Sequence, residues 1–190
     1  GISWRLLYDN LNNQFNNKND FEERNRFDIW TDNLNDILVS ESEIKYWNKI
    51  HNSINKLFNS EYNNYSNVNC KIFEKEIKIS ENKFNLNIRN FVLSKLSKAL
   101  IKSLDVNKLS INIETHGREE INYLTNINEI FGWFTSYFPM IILKEEDDIS
   151  DIENKFKNLN KNGINYLLLK YGFIKDKKLV EEKNKIDILF

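Results

Sequence analysis

The run INIETHGREE, residues 111–120, gathers Glu114, His116, Arg118, Glu119 and Glu120 directly after an alternating apolar stretch. These side chains suit proton transfer. Glu114 at the strand end is a candidate general acid or base, a role that suits a carboxyl partly shielded from water. Arg118 carries the planar fork that holds a carboxylate through two hydrogen bonds. His116 is an orienting hydrogen-bonder. The same residues also read as a strand running out into a polar turn, where structural ion pairs are common.

Glycine is scarce: Gly1, Gly117, Gly132, Gly163 and Gly172 are the full set, and Pro139 is the single proline. In such a chain each glycine marks a backbone demand, a positive φ or a close approach. Gly117, Gly132 and Pro139 make residues 109–143 the most informative region. His51 and His116 are the only histidines and give no metal-ligand spacing, so no metal is expected. No Gly-rich phosphate loop and no Gly-x-Ser-x-Gly elbow occurs. Trp133, Phe134, Tyr137 and Phe138 read as core packing or as a stacking platform.

The elements that must position these residues follow from periodicity. Helices are predicted through Trp4, Leu7, Tyr8, Leu11 and Phe15; through Phe27, Trp30, Leu34 and Ile37; and through Ile44, Trp47, Ile50, Ile54, Leu57 and Phe58, the last capped by Ser40 or Ser42. Residues 60–67 are a loop by composition, and Val68, Cys70, Ile72, Ile77 and Ile79 alternate like a bulged strand. A long helix is predicted from Asn82 to Leu104 with Ile88, Val92, Leu96, Ala99 and Leu100 inward. Leu109, Ile111 and Ile113 alternate with Ser110, Asn112 and Glu114, a half-buried strand whose polar face meets solvent or a solvated channel. TSYFPMIIL (135–143) is a more central strand, and KIDILF at the end alternates like a final one. Between them Ile149, Ile152, Phe156 and Leu159 form a helix with Asp147 and Asp148 near its start, and Asn162-Gly163 is a turn. The order predicts an α/β fold, helices packed on a mixed β-sheet. It divides into a helical segment, 1–60, and an α/β lobe, 66–190.

Composition narrows the class. The chain has 190 residues, 41% hydrophobic and 13% aromatic, enough for a packed core. Its 27 basic and 28 acidic residues leave a net charge of −1, so no electrostatic footprint for nucleic acid or membrane is present. Cys70, the only cysteine, excludes an internal disulfide and fits a reducing, cytoplasmic home. No apolar run approaches the ~18 residues of a membrane span, and GISWRLL is not a signal peptide. About one residue in six is asparagine, read as surface drift.

ETHGRE (114–119) followed by FGWFTSYFP (131–139) resembles the paired motifs of epimerization domains in nonribosomal peptide synthetases, whose usual forms are EGHGRE and SRTVGWFTSxYP. GISWRLLYDNL (1–11) resembles DGVSWRILLEDL, which closes the HHxxxDG motif; NKNGINYLLLKY (160–171) is similar to the later P-N-x-GIGYGLLRY; and ILF (188–190) is similar to the start of FNYLG. The matches occur in family order and run from the first residue to the last.

The resemblance implies a chloramphenicol-acetyltransferase-like lobe, the C-terminal half of a two-lobed domain. Gly1, Ser3 and Trp4 match the motif remnant, so both histidines of HHxxxDG are expected outside the chain, which alone should be inert. The family reaction inverts the Cα centre of an aminoacyl or peptidyl thioester, presented on the 4'-phosphopantetheine arm of a carrier protein; no cofactor is bound directly. Inversion takes a proton from one face and returns one to the other, so two acid–base groups across a tunnel make chemical sense. Glu114 takes the place of one and the missing histidine the other. His116, Gly117, Arg118 and Glu119 support it, with Arg118 expected to pair with the missing aspartate. Asn112, Gly132, Trp133, Thr135, Ser136 and Tyr166 are expected along the tunnel. The partners implied are the carrier protein and the N-terminal lobe. Departures from the pattern are Thr115 for a glycine, Glu129 for an arginine, Ile130 for a threonine, and Asn165 and Leu167 for the glycines of GIGYG. A condensation domain, which joins two carrier-bound substrates, and a noncatalytic carrier-docking domain are the competing readings.

Overall fold

The computed structural model describes residues 2–16, 26–34, 37–58, 71–76, 87–120, 126–146, 148–174, 178–182 and 184–190. Among them the order is α1 (Ile2–Phe15), α2 (Phe27–Leu34), α3 (Glu41–Ser53), α4 (Ile88–Leu104), β1 (Lys108–Thr115), β2 (Ser136–Leu143), α5 (Ile149–Lys157) and α6 (Asn165–Lys170). Short 3-10 turns occupy Ile127–Glu129 and Asn160–Gly163.

β1 follows its alternation: Leu109, Ile111 and Ile113 are fully buried. β2 is apolar on both faces and buried along most of its length. The two pair antiparallel from Lys108 opposite Leu143 to Thr115 opposite Ser136. On the other edge of β1 the chain end runs parallel: Asn112 N donates to Ile188 O at 2.9 Å, and Phe190 N to Asn112 O at 2.8 Å. The sheet is therefore mixed, as the element order predicts. This arrangement also explains Pro139. It lies opposite Asn112, whose own amide and carbonyl both turn to the terminal segment, so a proline without an N–H breaks no ladder bond there.

Helices cover the sheet. α3 is capped by Ser40, whose Oγ accepts from Glu43 N at 3.2 Å, and it buries Trp47 and His51. α5 begins with a capping box between Asp148 and Asp151, and it buries Ile152 and Phe156. α3, α4, α5, α6 and the strands share the main core; Trp30, Ile127, Ile130, Phe134 and Ile164 form a second cluster near the 126–134 loop.

Four expectations change. The buried stripe of α4 is Asn90, Leu93, Ser94, Ser97 and Ile101, whereas Ile88, Val92 and Leu96 are exposed. α4 packs on β1 and α5 through this stripe, with Leu100 partly buried beside it, and Ser97 Oγ is satisfied within the helix by donating to Leu93 O at 2.6 Å. α1 forms, but none of its residues is buried, and Trp4, Tyr8 and Phe15 stand exposed. Ile37 and Leu57 pack on the core from beyond their helices, since α2 stops at Leu34 and α3 at Ser53. Residues 71–76 are not a strand, and Ile72 and Phe73 are exposed. The 60–67 loop, Val68, Cys70, Ile77, Ile79, Asn82 and Asp147 lie outside the described residues.

Candidate functional site

β1 opens progressively along its polar face: Ser110 is buried, Asn112 half-buried and Glu114 exposed. Ser110 thus departs from the expected solvated face; its Oγ donates to Asn55 Oδ1 and accepts from Asn55 N at 3.0 Å, so the segment after α3 covers it. Glu114 is not shielded by the described residues. Its backbone N donates to Phe190 O at 2.8 Å, and Tyr137 lies directly across the ladder, on the same face. Burial, with Tyr171 hydrogen-bonded at 3.3 Å, pushes the Tyr137 phenol up to about 12.

The chain turns sharply after β1. Thr115 keeps strand geometry, and positive φ first appears at Gly117, at +64°. A Cβ there would lie 1.6 Å from the Phe134 carbonyl oxygen, so only glycine lets the two segments touch. Gly132 is demanded by proximity too: a Cβ would meet the Phe27 ring at 2.3 Å. His116 Nδ1 accepts from Arg118 N at 2.9 Å and closes this turn, with the ring itself 63% exposed.

Arg118 is buried. Its Nη1 donates to the carbonyls of Ile127 and Ile130, and its Nη2 to Ser3 Oγ at 3.1 Å and Gly132 O at 3.5 Å. The guanidinium lies 4.1 Å from the Phe134 ring centre, a cation–π contact, and burial holds its pKa below the ordinary arginine value. Ser3 Oγ also donates to Gly132 O at 2.8 Å and accepts from Gly132 N at 3.2 Å, which uses its full capacity. Within this chain, then, Arg118 binds neutral oxygens and ties the start of α1 to the 126–132 loop. Glu119 Oε2 accepts from Asn162 Nδ2 at 3.0 Å; its Oε1 is buried without a hydrogen bond among the described residues, 3.8 Å from His116 Nε2.

These contacts gather Ser3, His116, Gly117, Arg118, Glu119, Gly132 and Ser136 around the end of β1. Trp133 is 83% exposed, and Thr135 and Trp4 are exposed as well. Tyr166 is fully buried on α6 behind Tyr137, their ring centres 6.4 Å apart, and bonds His51 and Glu182. Gly1 lies outside the described residues. Sequence reasoning missed Tyr137, Phe190 and Asn162 as neighbours of this corner. Strand pairing brings the first two, which no local pattern reveals; the left-handed φ of 49° at Asn162 turns the third toward Glu119. Glu129, the arginine replacement, accepts from Asn126 Nδ2 at 2.7 Å within its own 3-10 turn, and Ile130 is buried in the second cluster. Among the described residues no group of three or more metal-binding side chains occurs, and no helix is long and apolar enough to cross a membrane.

The architecture is that of the condensation-domain fold. It superimposes on the crystal structure of the epimerization domain from the third module of tyrocidine synthetase B with a TM-score of 0.70 at 16% identity, covering 99% of this chain and 49% of that one. Gramicidin S synthase 1 of Brevibacillus brevis is 27% identical over 197 residues, covering 90% of this chain and 18% of the synthase. Bacitracin synthase 1 of Bacillus licheniformis is 33% identical over 108 residues, 54% of this chain and 2% of that protein. No family model matches. The chain is thus similar in sequence to nonribosomal peptide synthetases and in fold to an epimerization domain, and it spans under a fifth of the curated synthetases it matches and about half of the solved domain.

Proposed function

We propose that this chain forms part of an epimerization domain that converts a carrier-bound L-aminoacyl or peptidyl thioester to the D-form. Glu114 is the acid–base group that this chain contributes. The observation that carries the reading is the pairing of an exposed carboxylate at the end of β1 with a rigid corner, in which Gly117, Arg118 and Phe134 fix the following turn. A carboxylate on a strand end is held by the sheet rather than by a loop, which suits a proton transfer that demands short reach and fixed direction.

The phosphopantetheine arm of the carrier would bring the thioester, whose acyl oxygen gathers negative charge once the Cα proton leaves. That charge calls for oriented donors or a positive partner. In this chain Glu114 takes or returns the Cα proton on its side. The second proton donor is assigned to the HHxxxD lobe. Shielding of Glu114, which the described residues do not supply, would come from that lobe and from the bound substrate.

The test joins the chain to an HHxxxD-bearing lobe and loads the carrier with an L-aminoacyl thioester in heavy water. Deuterium entry at Cα, followed by mass spectrometry, is expected in wild type and lost in Glu114→Gln. No exchange in a folded protein with a correctly loaded carrier would overturn the reading. Amide formation between two loaded carriers would then identify condensation, and carrier binding without either reaction would identify docking.

A further inference from the structure

Behind Tyr137, His51, Tyr166 and Glu182 form a hydrogen-bonded series that the proposed chemistry does not use. His51 Nδ1 meets the Val180 carbonyl oxygen at 2.8 Å, His51 Nε2 meets Tyr166 Oη at 3.0 Å, and Tyr166 Oη donates to Glu182 Oε1 at 2.6 Å. Lys170 Nζ donates to the same carboxylate oxygen at 2.9 Å. His51 and Tyr166 are buried, at 2% and 0% exposure.

Protons can be counted along this series. Each bond needs one. A carbonyl oxygen only accepts, so Nδ1 must donate to Val180. Tyr166 has a single proton, and Glu182 takes it, so Oη is left to accept from His51 and Nε2 must donate as well. A neutral histidine, a neutral tyrosine and an ionised glutamate supply two protons for three bonds. The third comes from solvent and resides on the imidazole.

We infer that residues 178–182 and 184–190 are a strap fastened by a bound proton, with His51 held as the imidazolium between the Val180 carbonyl and the Tyr166–Glu182 pair. The neighbours agree with that location. Burial pushes the Tyr166 phenol far above its ordinary range, with Glu182 adding to the effect, so Tyr166 keeps its proton. Burial also raises the Glu182 carboxyl, but hydrogen bonds from Tyr166 and Lys170 outweigh it and hold Glu182 below the usual value, so Glu182 stays ionised. Its Oε1 lies 3.4 Å from His51 Nε2. Among the described residues, the charged and titratable groups around His51 are Tyr166 and Lys170 from α6, Glu182 from the strap, Lys178, Glu181 and Lys185 along the same cavity and, behind Tyr166, Tyr137 of β2 with Tyr171. A cavity of about 470 Å³ lined by His51, Lys170, Lys178, Glu181, Glu182 and Lys185 gives the proton a path to solvent.

The strap matters because of where it ends. Leu179 is buried in the main core, Val180 N donates to Asn48 Oδ1 at 3.0 Å, and Asn184 Nδ2 donates to Ile54 O at 3.0 Å. Beyond these, Ile188 and Phe190 form the edge of the sheet against Asn112 and Glu114. The proton on His51 therefore helps to hold the strand edge that backs Glu114.

Two measurements on the full chain test this. Nitrogen-15 spectra of the His51 ring are expected to show both nitrogens protonated at neutral pH, and a neutral tautomer there would overturn the inference. Hydrogen exchange reads the strap itself. Because closure binds a proton, protection factors of the Asn112, Glu114 and Phe190 amides are expected to fall with rising pH, by up to about tenfold per unit while the closed strap holds a proton that the open one has shed. In Glu182→Gln the glutamine amide can donate to Tyr166, so three protons serve three bonds without an extra one, and the fall should vanish. A slope in that variant equal to wild type, or no slope in wild type across about pH 6 to 9, would refute the strap.

Discussion

Arg118 and Ser3, separated by 115 positions in the chain, are joined by a hydrogen bond of 3.1 Å from Nη2 to Oγ. The same serine holds Gly132 through both its amide and its carbonyl, so one hydroxyl closes a junction among α1, the turn after β1 and the 126–132 loop. Arg118→Ala removes four donations at once and leaves the carbonyls of Ile127 and Ile130 without them. The expected loss is about 2–4 kcal/mol in urea unfolding. Ser3→Ala should cost about 1 kcal/mol, and the double variant should lose less than the sum, since the two side chains share a bond.

Gly117→Ala meets two obstacles, a φ of +64° and a backbone oxygen 1.6 Å from the new Cβ. Relief requires the Phe134 segment to move away from the turn. A destabilisation of roughly 3–5 kcal/mol is expected, seen as a lowered urea midpoint. A change within ~0.5 kcal/mol would show that the two segments are not in contact in solution.

Trp133 and Phe134 are adjacent and opposite in fate. Phe134 is 6% exposed and packs edge-on against Phe27 and Trp30, while Trp133 is 83% exposed. Phe134→Ala should cost about 3–5 kcal/mol. Trp133→Ala should leave stability within about 0.5 kcal/mol, so any effect it has on deuterium exchange at the substrate reports on binding rather than on folding.

Glu114→Gln should likewise leave unfolding unchanged to within about 0.5 kcal/mol, because the carboxylate is exposed. The expected effect on epimerization is a loss of at least ~100-fold. Stability and activity would thus separate at this position and fall together at Arg118.

How much of this was legible beforehand varies residue by residue. The alternation of Leu109, Ile111 and Ile113 and the Ser40 cap are local signals, and both appear as read. Gly117 stood out because the chain has so few glycines. The face of α4 was misread, since two adjacent stripes were available and the choice between them belongs to α5 and β1, not to the helix. Ser94 and Ser97 carry no hydrophobic signal, yet they face inward. Ser110 and Tyr166 show the same limit: a polar atom can be buried when a distant segment supplies its partner, here Asn55 for one and His51 and Glu182 for the other.

Glu182 sets an acid limb. Its folded pKa is lowered, so between that value and the ordinary glutamate value of about 4.3 the folded chain binds fewer protons than the unfolded one. Its contribution to stability is present above that window and is lost as pH falls through the lowered value. Urea midpoints between about pH 6 and 3 should therefore drop more steeply in wild type than in Glu182→Gln. Equal slopes would show that this carboxylate does not govern the limb.

α1 has no buried residue, and its described hydrogen bonds to the rest of the chain pass through Ser3, in its first turn. Mechanically it is a boom pinned at its base. At 1.5 Å per residue Phe15 lies about 18 Å beyond Ser3, so a swing of about 10° about the pin carries it about 3 Å. A body that grips the apolar side of the far end works on Ser3 with a long arm, and the force arrives at the guanidinium of Arg118. Leverage of that kind lets a contact made far from Glu114 be felt at the turn that follows it.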